Sequence, residues 1–200
     1  MMIYFCTKFV TKYITKNKYN IMKKTVLMSV MFLLTLLFSC TSQTYVEPKT
    51  LEGLINSNQF TFMAKRANPT NFDVINVMNS LPNNNSARML DLDYGYSVVI
   101  KEKELDVNLP YFGRLFNPSY DTSKNSYNFN SKDFTISKLQ NKKGNWVFTV
   151  SPKDLSNVRV IYIEIFKNGG AYVSIDSNDR QAISYDGYIM KNEVEKETKK

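Results

Sequence analysis

From about residue 59 onwards, apolar residues recur mostly at every second position. "QFTFMAK" puts Phe60, Phe62 and Ala64 on one face, and "YSVVI" groups Tyr96, Val98 and Ile100. "ELDVNL" sets Leu105, Val107 and Leu109 against Glu104, Asp106 and Asn108. Such alternation marks strands with one face in a core and one in water. "YNFN", "FTIS", "WVFTV", "VRVIYIEIF", "AYVSI" and "AISYDGYI" continue it. Turn signals separate them: Lys143-Gly144-Asn145, Ser151-Pro152, Asn168-Gly169-Gly170 and Ser177-Asn178-Asp179. The pattern predicts an all-β (mainly β) protein, a single antiparallel β-sandwich or flattened barrel of about 8–10 strands with a short N-terminal helix.

Local detail refines this picture. "VRVIYIEIF" (158–166) is apolar on both faces, as a central strand is. "FKNGGAYV" predicts a hairpin whose Asn-Gly pair supplies the positive φ of a primed turn. "TLEGLIN" places Leu51, Leu54 and Ile55 on one side of a short helix. "NFDVINVMNSLPNNN" (71–85) reads either as a short helix or as an elaborated loop. No internal repeat is visible.

The alternation is absent ahead of the domain. After Met22 come Lys23-Lys24, then "TVLMSVMFLLTLLF" (25–38), then Ser39-Cys40. A basic start, a short apolar run and a small residue before the break make a secretory signal peptide. A membrane span needs roughly 20 apolar residues, more than this run supplies. Leu37-Phe38-Ser39-Cys40 resembles the bacterial lipobox, in which cleavage precedes a cysteine bearing diacylglyceryl, although Phe38 stands where a small residue is usual. The alternative is a plain secretory peptide followed by a free thiol. Residues 1–21 read as an over-extended start; otherwise, they form a basic amphipathic extension. The expected organisation is 1–21, a lipoprotein signal 22–39, a polar tether 40–48, one β domain 49–190 and a charged tail 191–200.

Charge changes meaning once this leader is set aside. The whole chain is +8, but Lys8, Lys12, Lys16, Lys18, Lys23 and Lys24 precede Cys40 and no acid does. Without them 20 basic and 18 acidic residues remain, a net of +2. The electrostatic footprint of nucleic-acid binding is lost with the leader. One domain fits the remaining length. Its single cysteine, Cys40, is the one expected to carry lipid, so no disulfide forms within it. The chain has no histidine, which excludes serine–histidine and cysteine–histidine catalysis and imidazole-built metal sites.

Three islands, "AKRANP" (64–69), "NLPYFGRLF" (108–116) and "SNDRQAISYDGYI" (177–189), together with the leader, resemble the domain-of-unknown-function family forty-two fifty-one over residues 50–190. The resemblance implies an envelope lipoprotein of uncharacterised activity and supplies no catalytic residues. The segment 71–85 is longer than the family's link, and "YDTSKNSYN" replaces a glycine-rich stretch.

Candidate chemistry concentrates at strand ends. Pro110 and Gly113 shape a corner after 104–109, placing Tyr111 and Phe112 beside Arg114. This is either a ligand platform or an aromatic plug with Arg114 paired to a carboxylate. Arg180 either joins Arg66 and Arg114 in a pocket for an anionic group or pairs with Asp93, Asp176 or Asp179. Asp91/Asp93 and Glu102/Glu104/Asp106 share faces at the spacing of an acid–base pair, as any solvated strand face does. "DSNDR" (176–180) lacks the glycine and closing glutamate of a calcium loop. The expectation is a periplasm-facing lipoprotein at the outer membrane, held by lipid on Cys40. It uses no catalytic residue, metal or cofactor, and binds a small ligand or an envelope protein through Tyr111, Phe112, Arg114, Arg66 and Arg180. The alternatives are a purely structural or assembly role and a carboxylate-dependent hydrolase.

Overall fold

Alternation becomes a sheet because each strand can hide one row of side chains from water. In the computed structural model of the chain, residues 43–70, 90–116 and 125–193 are described, with 24, 25, 27–29, 75–77, 80 and 88 besides. Residues 1–21, expected to be an over-extended start, Cys40, most of the expected leader and of 71–85, and the expected tail from residue 194 lie outside the described residues. The chain divides into two units, Met1–Ser42 and Gln43–Lys200. In the first, residues 24, 25 and 27–29 are helical. No helix among the described residues is long and apolar enough to cross a membrane.

The second unit opens with helix α1 (Pro48–Ser57). Pro48 starts it, where the missing N–H costs nothing, and Asn58 ends it at φ 55°. Leu51, Leu54 and Ile55 face the core, each contributing about 1.5–3 kcal/mol of burial. Nine strands follow: β1 (Phe60–Pro69), β2 (Ser97–Ile100), β3 (Leu105–Leu109), β4 (Tyr127–Ser131), β5 (Phe134–Gln140), β6 (Trp146–Pro152), β7 (Val158–Ile165), β8 (Gly170–Ser177) and β9 (Ile183–Met190). They form one antiparallel sheet in the order β4-β3-β2-β1-β9-β8-β7-β6-β5. The expected helix and strands are all present.

Closure follows from connectivity. Eight antiparallel pairings separate β4 from β5 around the sheet, so both edge strands run in the same direction. Only Lys132 and Asp133 join them, which is no hairpin between co-directional strands. A flat sheet of this order would hold its edges about 38 Å apart at 4.8 Å per strand. Three peptide steps span at most about 11 Å. The sheet therefore rolls into a nearly closed barrel, and one kinked run of chain serves both edges. Asp154, just after β6, pins the kink. Its carboxylate accepts from Ser131 Oγ, from Lys132 N–H at 2.9 Å and from Asp133 N–H at 3.3 Å. Those bonds, Ser131's first, hold its pKa below the usual carboxylate value.

Inside the barrel sit Phe60, Phe62, Leu105, Val107, Phe148, Ile161, Ile163, Val173, Ile175 and Ile189, all buried. Phe60 and Phe148 meet edge to face at 5.1 Å. One end is capped by α1, whose Ile55 carbonyl accepts from Lys138 Nζ at 2.9 Å. Lys138 points inward from edge strand β5, within 5.6 Å of the Trp146 ring, a placement that discourages edge-to-edge pairing. The β7–β8 hairpin departs from the expected primed turn. Its loop is Lys167-Asn168-Gly169 with Gly169 at φ 82°, and non-glycine positive φ occurs only at Asn58 among the described residues. Gly169 N–H donates to Phe166 O and Phe166 N–H to Gly170 O, a three-residue loop closed by a glycine bulge. Asn168 needs no left-handed conformation there, so a primed turn is not required.

Candidate functional site

The end of the barrel opposite α1 is built from the corner after β3, the start of β4 and the β8–β9 turn. Tyr111 folds back over Gly113, where a Cβ would come within 2.5 Å of its hydroxyl. That hydroxyl reaches the carbonyls of Arg114 (2.9 Å) and Gln181 (3.0 Å), so one phenol ties the corner to the β8–β9 turn. Main-chain bonds from Phe116 N–H to Asp179 O and from Gln181 N–H to Arg114 O continue the junction.

Arg180 is the centre of this end, with only 5% of its side chain exposed. Nε and Nη2 donate to the two Asp179 carboxylate oxygens at 3.1 and 2.9 Å, and Nη1 donates to Ser126 O at 3.2 Å. The guanidinium lies 4.7 Å from the Tyr127 ring centre and 5.2 Å from that of Tyr111. The two rings meet edge to face at 5.7 Å. Burial opposes the charge on Arg180, but Asp179 outweighs it and the pKa ends above its ordinary value. Tyr127, bonded to Ser177 Oγ at 3.0 Å, is pushed up to about 12 by burial. Burial also raises Tyr185, whose hydroxyl donates to Pro110 O at 2.7 Å. The fork of Arg180 is occupied by its neighbour's carboxylate, and the Tyr111 and Tyr127 rings pack against its guanidinium.

The three arginines do not form one pocket. Alternation around Ala67, which is fully buried, turns Arg66 to the outside of the barrel, 3.7 Å from Asp91. Arg114 is exposed and Phe112 packs half-buried against the core. Of the suggested partners of Arg180, Asp179 holds it, while Asp176 pairs with Arg159.

Two concavities lie elsewhere. A cleft of about 530 Å³ runs over the outer face of β1, β2 and β3. Thr61, Met63, Val99 and Met190 form its floor, with Lys101, Glu104, Asp106 and Asn130 along one side and Tyr94 and Glu193 opposite. Tyr94 is 71% exposed and donates to Glu193 Oε1 at 3.0 Å. Glu104 accepts from Lys101 Nζ at 2.9 Å and Asn130 Nδ2 at 2.8 Å, and Lys101 foremost holds its pKa below the usual range. A second cleft, of about 340 Å³, lies between α1 and the β5–β6 and β7–β8 turns, over Leu51, Ile55, Trp146 and Ile165. Among the described residues, no cluster of acidic or cysteine side chains could hold a metal ion.

Alternation singled out Glu104 and Asp106 but missed the cleft around them. The available signal was apolar side chains, Met63 and Val99, at positions whose parity points away from the core.

A family model described as "Domain of unknown function (DUF4251)" matches residues 42–189. The chain belongs to this family. The match covers all three islands of resemblance and extends back into the expected tether. A crystal structure of a DUF4251 family protein from Bacteroides eggerthii DSM 20697 is similar at 13% identity and a TM-score of 0.45, covering 74% of this chain and 89% of that one. No curated protein matches the chain.

Proposed function

We propose that this DUF4251 protein is a lipid-anchored, non-catalytic envelope module that binds a ligand or envelope partner through the outer-face cleft. The Lys23-Lys24 start, the apolar run and Leu37-Phe38-Ser39-Cys40 support the anchor. Several acyl chains on Cys40 give stable attachment, because each buried methylene contributes about 0.8 kcal/mol. Thr41 follows Cys40 where aspartate is associated with inner-membrane retention, which favours the periplasmic face of the outer membrane.

The cleft is the observation that carries the binding half. It joins an apolar floor to an exposed tyrosine and several polar groups, the composition of a recognition site. Catalysis finds little support. The chain has no histidine, and Glu104, the best-placed acid, is held ionised by Lys101 and Asn130. A general acid needs its pKa moved the other way. The closed Arg180 corner favours a second reading, an assembly role without a small ligand.

The test is mass spectrometry of the protein purified from membranes, with and without Ser97→Trp, which fills the cleft from the outer face of β2 beside Met63 and Val99. A diacylglyceryl group on an N-terminal Cys40 and a bound species lost in Ser97→Trp are expected. An unmodified thiol refutes the anchor. No bound species in either protein refutes the ligand and leaves the assembly role.

A further inference from the structure

The first described residues of the second unit are bonded to the barrel rather than trailing from it. Gln43 O accepts from Asn168 Nδ2 at 3.0 Å, and Tyr45 N–H donates to Asn168 O at 2.8 Å. The Tyr45 ring stacks on Tyr188 at 5.1 Å and 7°. Lys65 Nζ lies 5.2 and 5.6 Å from those two ring centres. Gly169 admits the strap: a Cβ there would lie 3.0 Å from the Val46 backbone nitrogen and side chain. The chain expected to be a loose tether is thus fastened to the β7–β8 turn from Gln43 onwards.

Covalent geometry then sets a limit. Cys40 is three residues from Gln43, a span of at most about 11 Å. The eight residues of β8 carry the barrel about 26 Å from this turn towards the Arg180 corner. We infer that the α1 end of the barrel lies against the phospholipid headgroups, with the Arg180 end turned away from the membrane. This rests on the reading of Cys40 as the acylated N-terminus.

The chemistry of that end suits a headgroup surface. Lys49, Lys142, Lys143 and Lys167 are exposed on α1 and the two turns, where they meet lipid phosphates. Phe166, 38% exposed, and the apolar cleft beside Trp146 lie between them. Aromatic side chains with lysines around them fit the boundary between headgroups and acyl chains. On α1 and these two turns the carboxylates are Glu47, Glu52 and Glu164, the last engaged by Asn141 and Asn145. The β2–β3 turn and the end of β9 add Glu102, Glu104 and Glu193 at this end, with Glu104 paired to Lys101 and Glu193 bonded to Tyr94. The partner is therefore a phospholipid bilayer, bound through its phosphates.

Trp146 is the chain's only tryptophan and stands at this end. The mature protein, purified from membranes, is reconstituted into phosphatidylethanolamine–phosphatidylglycerol vesicles carrying a nitroxide on the headgroup. Trp146 is expected to be quenched severalfold more than a tryptophan at the far end, introduced by Phe116→Trp in a Trp146→Phe background. Lys142→Glu with Lys143→Glu and Lys167→Glu, all on exposed turns, should reduce the quenching without changing the circular dichroism spectrum. Equal quenching at both ends, or stronger quenching at residue 116, on a protein whose Cys40 is acylated by mass overturns the orientation alone. A mature protein without acyl chains overturns the anchor and the orientation together.

Discussion

Replacing Arg180 with methionine separates a structural arginine from a ligand-binding one. Methionine keeps most of the aliphatic volume over the Tyr127 and Tyr111 rings but removes the charge. Asp179 then loses two donors and Ser126 O loses one. Breaking a buried ion pair by deleting one member costs about 3–5 kcal/mol. The Asp179 side chain is 27% exposed, so water recovers part of that and the lower value, about 3 kcal/mol, is expected. At about 2–4 °C per kcal/mol for a domain of this size, melting falls by roughly 6–12 °C. Urea unfolding followed by Trp146 emission, beside calorimetry, measures the change. In an Asp179→Asn background the same replacement should cost about 2 kcal/mol less, since the partner has already been neutralised. A melting point within about 2 °C of the native value would refute the clamp and return Arg180 to the list of binding residues.

Two glycines make a matched pair. At Gly187 a Cβ would lie 2.0 Å from Met63 O and 2.9 Å from the Phe62 ring, so Gly187→Ala should cost about 3 kcal/mol or more in urea titration. Gly53 lies in α1 with open space around it, and Gly53→Ala should stabilise by about 0.5–1 kcal/mol; equal effects at the two sites would refute the packing argument. Alkali provides another test. Tyr127 and Tyr185 have folded pKa values raised by burial, so their contribution is present below the ordinary tyrosine value of about 10 and is lost as pH rises through the folded values. Absorbance at 295 nm should show late-titrating tyrosines between about pH 10 and 12, ionising as circular dichroism is lost. Titration of every tyrosine near pH 10 with the fold intact would contradict the burial.

The strands were legible because a period of two needs no knowledge of neighbours: a residue such as Val107 is driven inward whichever strand lies beside it. The same held for α1, where Leu51, Leu54 and Ile55 recur at helical spacing, and for the corner made by Pro110 and Gly113. Family membership was readable as well, since "LPYFGR" and "SNDRQAISYDGYI" are linear features. Arg180 was identified as a candidate with its two roles unresolved. A carboxylate one residue away in sequence competes with others that are equally close by composition, and geometry alone selects Asp179.

Taken by itself, the sequence determined the alternation, the helix and the lack of histidine chemistry, and it carries the basic and apolar run up to Cys40 on which the proposed anchor rests. Tertiary structure decided which strands pair, that Lys132 and Asp133 carry the chain from one sheet edge to the other, and that Arg66 and Arg180 part company. It also decided where the outer cleft opens and that Gln43–Val46 is strapped to the β7–β8 turn. The reason is one of range. Side-chain parity is set by adjacent peptide units, whereas strand order, closure and clefts depend on contacts between residues far apart in the chain, each adopted only when the whole sheet closes around a common core.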